Sequence, residues 1–201
     1  MSTELEQLLH AHAPSRERAD ASRNRRRILQ VADQLFAEYG PGNVSMDRIA
    51  EAAHVGKGTL YRRFKDQSGL ALAVLEEKER RLQEAVIRGP APLGPEAPAD
   101  RRLIAFLQAL IDLLEAHTEL HILSETSSAR YRSGLYAFYR LHVEILLRQI
   151  DHTLDETLMA DLLLAPLSAE LFQHLRQERG MSLERIKSAV EDLVRRVVVR
   201  T

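Results

Sequence analysis

The chain has neither cysteine nor tryptophan among its 201 residues. That excludes disulfides and thiolate metal sites, and it suits a reducing compartment. No apolar run approaches the roughly 20 residues that a membrane-spanning helix needs. The first residues, Met-Ser-Thr-Glu-Leu-Glu-Gln, are too polar and acidic for a signal peptide. A soluble cytoplasmic chain with no membrane association is therefore expected. Enzyme motifs are missing too: there is no Gly-rich phosphate loop, Gly-x-Ser-x-Gly elbow or His-Glu-x-x-His pair. We expect no enzyme and no cofactor. Net charge is only −1, so the overall balance points to no particular partner.

The distribution of charge is more informative. Between Ser15 and Asp66, eleven Arg and Lys residues stand against seven Asp and Glu, which leaves the remainder acidic. A basic end joined to an acidic body is the electrostatic footprint of a nucleic-acid-binding segment attached to something else. Four of those cations, Arg23, Arg25, Arg26 and Arg27, crowd the start of an amphipathic helix read from Ser22 to Tyr39. Ile28, Leu29, Ala32, Leu35, Phe36 and Tyr39 form its apolar stripe, and Gly40-Pro41 stops it.

The stretch from Ser45 to Lys65 reads as two short helices joined by a tight turn. Ser45 is a good N-cap, Asp47 suits the first turn, and Val44 can staple onto Ile49. His54 stands at the reversal, where a left-handed residue is often required. Gly56 can cap the second helix and Val55 can staple onto Leu60. Leu60 and Phe64, four residues apart, point inward and leave Lys57, Gly58, Tyr61, Arg62 and Lys65 outward. A basic outer face with one phenol and a glycine for close approach suits a DNA groove. Three helices sharing Phe36, Ile49, Val55, Leu60 and Phe64 make a compact helix-turn-helix unit.

Downstream, the expected fold is entirely helical. A connector helix spans Ser68 to Ile87, and the Pro- and Gly-rich stretch from Arg88 to Asp100 is a flexible loop. Helices follow over Arg101 to His117, Thr118 to Ala129 with Thr118 as cap, Ser133 to Ile150, Asp155 to Arg179, and a last one capped by Ser182. The Asp155–Arg179 helix is apolar on nearly every side, which demands burial on every side. A second copy of the chain supplies this most simply, so a homodimer is expected through Leu163, Leu167, Leu171, Leu175, Val190, Leu193 and Val197. Residues 1 to 14 hold only a weak helical patch, Leu5, Leu8 and Leu9.

These features resemble the TetR-type (TetR/AcrR) bacterial transcriptional regulators. The resemblance is strongest from Arg25 to Leu75, in Val-Ser-Met-Asp-Arg-Ile-Ala-Glu-Ala-Ala53, Val55, Gly58-Thr-Leu-Tyr61 and Phe64. It is weaker beyond, where Asp161-Leu-Leu-Leu-Ala-Pro-Leu167 and the final helix look like the common C-terminal end. Some positions depart from the family pattern: His54 and Gly56 in the turn, Lys65 where Pro is frequent, and Gln67 where a phosphate-contacting Lys is frequent. The resemblance implies an all-α protein with three segments: an extension at 1–20, a helix-turn-helix DNA-binding domain at 21–66, and a helical effector-binding and dimerisation domain at 67–201. It also implies a dimeric repressor on an inverted-repeat double-stranded DNA operator, released by a small effector. Carried over by position, Lys57 would reach a base edge, with Arg62 or Arg63 as the other candidates. Ser45, Thr59, Tyr61 and Lys65 would contact phosphates, and Arg25, Arg48 and Gly58 complete the expected DNA surface.

The effector site is harder to read. A mostly apolar ligand is the default for such a cavity, and the candidate residues are Phe106, Leu110, His121, Tyr136, Tyr139 and His142. His117, His121 and Glu125 have i, i+4 and i+8 spacing, but Thr118 separates His117 from the others, so no metal site is expected. Two other readings stay open: a regulator controlled by a protein partner or by abundance, with no effector, and a sequence-indifferent DNA packaging protein.

Overall fold

The computed structural model describes residues 16–124 and 129–198. Residues 1–14 with their leucine patch, and Glu125, lie outside them. Among the described residues every regular element is helical. Contacts divide the chain into two units, one ending at Leu70 and one beginning at Ala71.

The first unit contains α1 (Arg16–Tyr39), a 3-10 turn (Pro41–Asn43), α2 (Met46–Ala52) and α3 (Lys57–Phe64). Helix α1 starts at Arg16, ahead of the expected Ser22, and ends where Gly40 turns to φ 78°. Ile28, Ala32 and Phe36 are buried, but Leu35 is half-buried and Tyr39 is exposed, so the apolar stripe is narrower than its spacing indicates. Ser45 caps α2, its Oγ accepting the Arg48 N–H at 3.2 Å. The turn between α2 and α3 runs through His54 at φ 51°. The Val55 N–H closes that turn on the Ala50 carbonyl at 3.0 Å. The shared core contains Ile49, Leu60 and Phe64 as expected, whereas Val55 is half-buried. Gln67 has a structural role here, since its Nε2 donates to the carbonyls of Pro41 at 2.5 Å and Val44 at 2.7 Å.

Helix α4 (Gln67–Arg88) starts before the division and continues into the second unit. That unit adds α5 (Ala99–Ser124), α6 (Ala129–Arg132), α7 (Gly134–Ile150), α8 (Glu156–Leu164) and α9 (Ala169–Gln173), with α10 (Leu183–Val198) last. The proline-rich segment after α4 is tied rather than free. Gly94 N–H bonds to the Pro90 carbonyl at 2.9 Å, and Arg102 donates to the carbonyls of Leu93 and Val86. A Cβ on Gly94 would sit 1.6 Å from the Gly89 oxygen, so only glycine fits.

Two expectations change here. The break at residue 117 is a kink inside α5, where His117 takes φ −138°. Thr118 does not cap a new helix: its hydroxyl donates back to the Leu114 carbonyl at 2.5 Å, the local competition that Thr sets up within helices. The expected Asp155–Arg179 helix is interrupted because Pro166 has no N–H to donate. A 3-10 turn (Ala165–Leu167) intervenes, Ser168 recaps α9 by accepting the Leu171 N–H, and α9 runs on into a π turn at His174–Glu178. Ser133, Asp155 and Ser182 cap α7, α8 and α10 through their side-chain oxygens. The core of this unit centres on Phe106, Leu107, Ile111, Leu146, Leu147 and Leu164, all buried.

Candidate functional site

Helix α3 has two unlike faces. Leu60 and Phe64 are buried beneath it, while Lys57, Gly58, Tyr61, Arg62 and Lys65 are exposed on the outside, with Tyr61 at 45%. Gly58 has open space on its outer side, with no atom within 4 Å of where a Cβ would stand. The fold therefore does not need a glycine there. Lys65 ends the helix at φ 68°, a left-handed conformation that strains a residue with a Cβ.

The cations around this face are held by neighbouring groups. Lys57 Nζ donates to Asp47 Oδ2 at 2.5 Å across the turn, and this bond, then the charge of Asp47, pushes the ammonium pKa up from its usual value. The Arg25 guanidinium lies 5.5 Å over the Phe64 ring and that of Arg48 lies 3.9 Å over Tyr39. These cation–π contacts anchor the two side chains. Arg63 turns away from the outer face to donate to the Ala21 carbonyl of α1 at 2.9 Å, which makes it a strut of the three-helix unit. The hydroxyl of Ser45 is committed to its cap, and Thr59 is half-buried in the first turn of α3. Among the described residues, Lys57, Tyr61, Arg62 and Lys65 make the exposed face, with Arg25 and Arg48 elsewhere in the same unit.

The second unit contains a cavity enclosing about 590 Å³ of atom-free space, its opening to solvent included. Leu72, Leu75 and Glu79 of α4 form one side, and Leu110, Leu113, Leu114, His121 and Ser124 of α5 form another. Ser133, Leu135, Tyr136 and Tyr139 close it from the α7 end, with Leu164 and Leu167 below. Of the six residues expected at an effector site, Leu110, His121, Tyr136 and Tyr139 are brought together here. Phe106 and His142 are not. They pack edge to face at 4.7 Å inside the core, and His142 also stacks on Phe138. Burial, then the charge of Arg102, brings the His142 pKa down to about 4.

Glu79 was missed by sequence reading, because Glu-Glu-Lys-Glu-Arg-Arg81 looks like a solvated charge run. The signal was its register. Leu75, Glu79, Leu82 and Val86 fall on one helical face, and all four are buried, Glu79 to 1% exposure. Its Oε1 lies 3.6 Å from His121 Nε2. Tyr136 donates its hydroxyl to Asp161 Oδ1 at 2.6 Å, which joins α7 to α8.

The residues expected at a dimer interface divide by burial. Leu163 and Leu167 are buried within the subunit's own core, so they cannot face a second copy. On α8, Leu158 and Leu162 are exposed instead. Leu171 and Leu193 are also exposed, Leu175 and Val190 are half-buried, and the side chain of Val197 lies outside the described part.

Residues 28–74 match the family described as bacterial regulatory proteins, tetR family. Over 170 residues the chain is 31% identical to the HTH-type transcriptional regulator SAR2658 of Staphylococcus aureus (strain MRSA252), covering 83% of this chain and 90% of that protein. Its fold is similar to that of BioQ from Mycobacterium smegmatis, with a TM-score of 0.63 at 18% identity over 83% of this chain and 92% of that one. It is also similar to the transcriptional regulator FadR of Bacillus subtilis, solved in complex with stearoyl-CoA, with a TM-score of 0.59 at 19% identity over 84% and 96% of the two chains.

Proposed function

The chain belongs to the TetR family of bacterial transcriptional regulators, and from that premise we propose that it is a cytoplasmic repressor. It binds an inverted-repeat operator as a homodimer and is released by a small, mostly apolar effector. The observation that carries this reading is the outer face of α3, where Lys57, Tyr61, Arg62 and Lys65 surround an unobstructed glycine over a buried Leu60–Phe64 base. In the major groove, Lys57 and Arg62 reach base edges, where a good bidentate contact discriminates by about 1–3 kcal/mol. Tyr61, Lys65, Thr59 and the capped end of α2 at Ser45 contact phosphates and set register. Arg25 and Arg48 add cations at the edges of this surface.

The dimer forms through the outer leucines of α8, α9 and α10, Leu158, Leu162, Leu171 and Leu193, because these exposed apolar side chains gain by burial against a second copy. The effector occupies the leucine-walled cavity of the second unit. Helix α4 supports the coupling: it carries Gln67, bonded to the backbone just ahead of α2, and further along Leu72, Leu75 and Glu79 of the cavity wall.

The test is to capture genomic fragments with the purified protein and screen compounds by thermal shift. Stabilising compounds are then added to the protein–fragment complex. Release of the fragment by a stabilising compound is expected. Discrete fragments that no stabilising compound releases would replace effector control by control through a protein partner.

A further inference from the structure

Resting on the effector reading above, we infer that the cavity takes an uncharged molecule, an apolar body with one hydroxyl or carbonyl oxygen, and that Tyr139 binds this oxygen. The described wall is mostly leucine, which suits the body. Most of its polar side chains are engaged within the protein. Glu79 Oε1 and His121 Nε2 stand 3.6 Å apart, and neither residue is without a partner. Ser124 donates its hydroxyl to the His121 carbonyl at 3.0 Å, and Ser133 accepts the Tyr136 N–H at 3.1 Å. Tyr136 in turn donates its hydroxyl to Asp161.

Tyr139 is different. It lines the cavity, is 9% exposed, and its hydroxyl is buried with no hydrogen-bond partner among the described residues. Its ring packs edge to face with Phe106 at 5.8 Å and with Phe138 at 6.4 Å, contacts that hold it in the core. A buried hydroxyl left unpaired is costly, and an oxygen supplied by a ligand removes that cost. A phenol both donates and accepts, so a hydroxyl or a carbonyl satisfies it. A charged head group gains less. No Lys or Arg lines the described wall to pair an anion, and the carboxylate that would pair a cation is already engaged. Taking an unpaired charge out of water costs far more than taking an alcohol.

The experiment uses the full-length protein and three probes with the same eight-carbon chain, 1-octanol, octanoate and octylammonium, each below its aggregation concentration at neutral pH. Calorimetric titration is expected to find 1-octanol bound at least about tenfold tighter than either ion. Tyr139→Phe is expected to weaken 1-octanol binding about fivefold. Without ligand, the same variant should melt no lower than the wild type, because the hydroxyl it removes makes no internal bond; removing a hydroxyl that served the fold would lower the melting temperature. Equal or tighter binding of either ion, an unchanged 1-octanol affinity in Tyr139→Phe, or a lowered melting temperature of that variant would overturn the inference while leaving an effector cavity in place. Failure of all three probes to bind would overturn both.

Discussion

Lys57 Nζ and Asp47 Oδ2 lie 2.5 Å apart, joining the first turn of α3 to the first turn of α2. Both side chains are largely exposed, so the pair contributes little to stability. Its consequence lies in DNA binding, because an ammonium held by a carboxylate must exchange that partner for a base edge. Asp47→Asn is expected to tighten operator binding several-fold with little change in melting temperature. Lys57→Ala is expected to relax base preference at one position in each half-site, checked on a panel of single-base operator variants. A uniform loss across the panel would make Lys57 a phosphate contact instead.

Gly58 separates folding from recognition. Alanine is favoured over glycine inside a helix by about 1 kcal/mol, and the added Cβ would meet nothing in the free protein. Gly58→Ala should therefore raise the melting temperature while weakening operator binding, because the methyl group intrudes where the DNA approaches. Thermal unfolding and a binding titration on the same preparation check both halves. An unchanged affinity would mean that α3 does not approach DNA closely at this position.

The reversal between α2 and α3 was legible in the sequence because its determinants are local: the Ser45 cap, His54 in the left-handed region, and an apolar pair four residues apart at Leu60 and Phe64. The packing around Leu162-Leu-Leu164 was not. A run of leucines is apolar in every direction, so periodicity cannot separate Leu163, which enters the subunit's core, from Leu162, which stays outside. The cavity was half legible. Tyr136, Tyr139, His121 and Leu110 stood out as aromatic, titratable or apolar side chains, whereas Glu79 was hidden among the charges flanking it.

That difference at Leu162 has a consequence for assembly. If α8 packs against a second copy through its outer face, Leu158→Asp with Leu162→Asp places two carboxylates in the interface without disturbing Leu163 or Leu164. Sedimentation velocity should show a shift from dimer to monomer. Operator affinity should fall by about tenfold or more, since a half-site reader loses its linked partner. A double variant that sediments as a dimer would move the interface elsewhere.

His142 makes stability depend on pH. Its imidazole is buried between Phe106 and Phe138, and its folded pKa of about 4 lies below the ordinary 6.5. The unfolded chain therefore takes up the proton first as pH falls. The stabilisation is complete above pH 6.5, is lost progressively as pH drops, and is gone below about 4. Allowing for partial solvent screening, the loss amounts to about 2 kcal/mol. Urea unfolding at pH 7 and pH 4.5 should show a smaller drop for His142→Leu than for the wild type, by about that amount.

The most direct test of the proposed regulator is selection of binding sites from random duplex DNA, followed by titration of the enriched site and a scrambled duplex at one fixed salt concentration. Two recognition helices in a dimer should enrich an inverted repeat whose half-site centres lie one helical turn apart, about 34–36 Å, or a multiple of it. They should bind it at least about a thousandfold tighter than the scrambled sequence. Equal affinity for the two duplexes, or enrichment of an unpaired single site, would contradict the account.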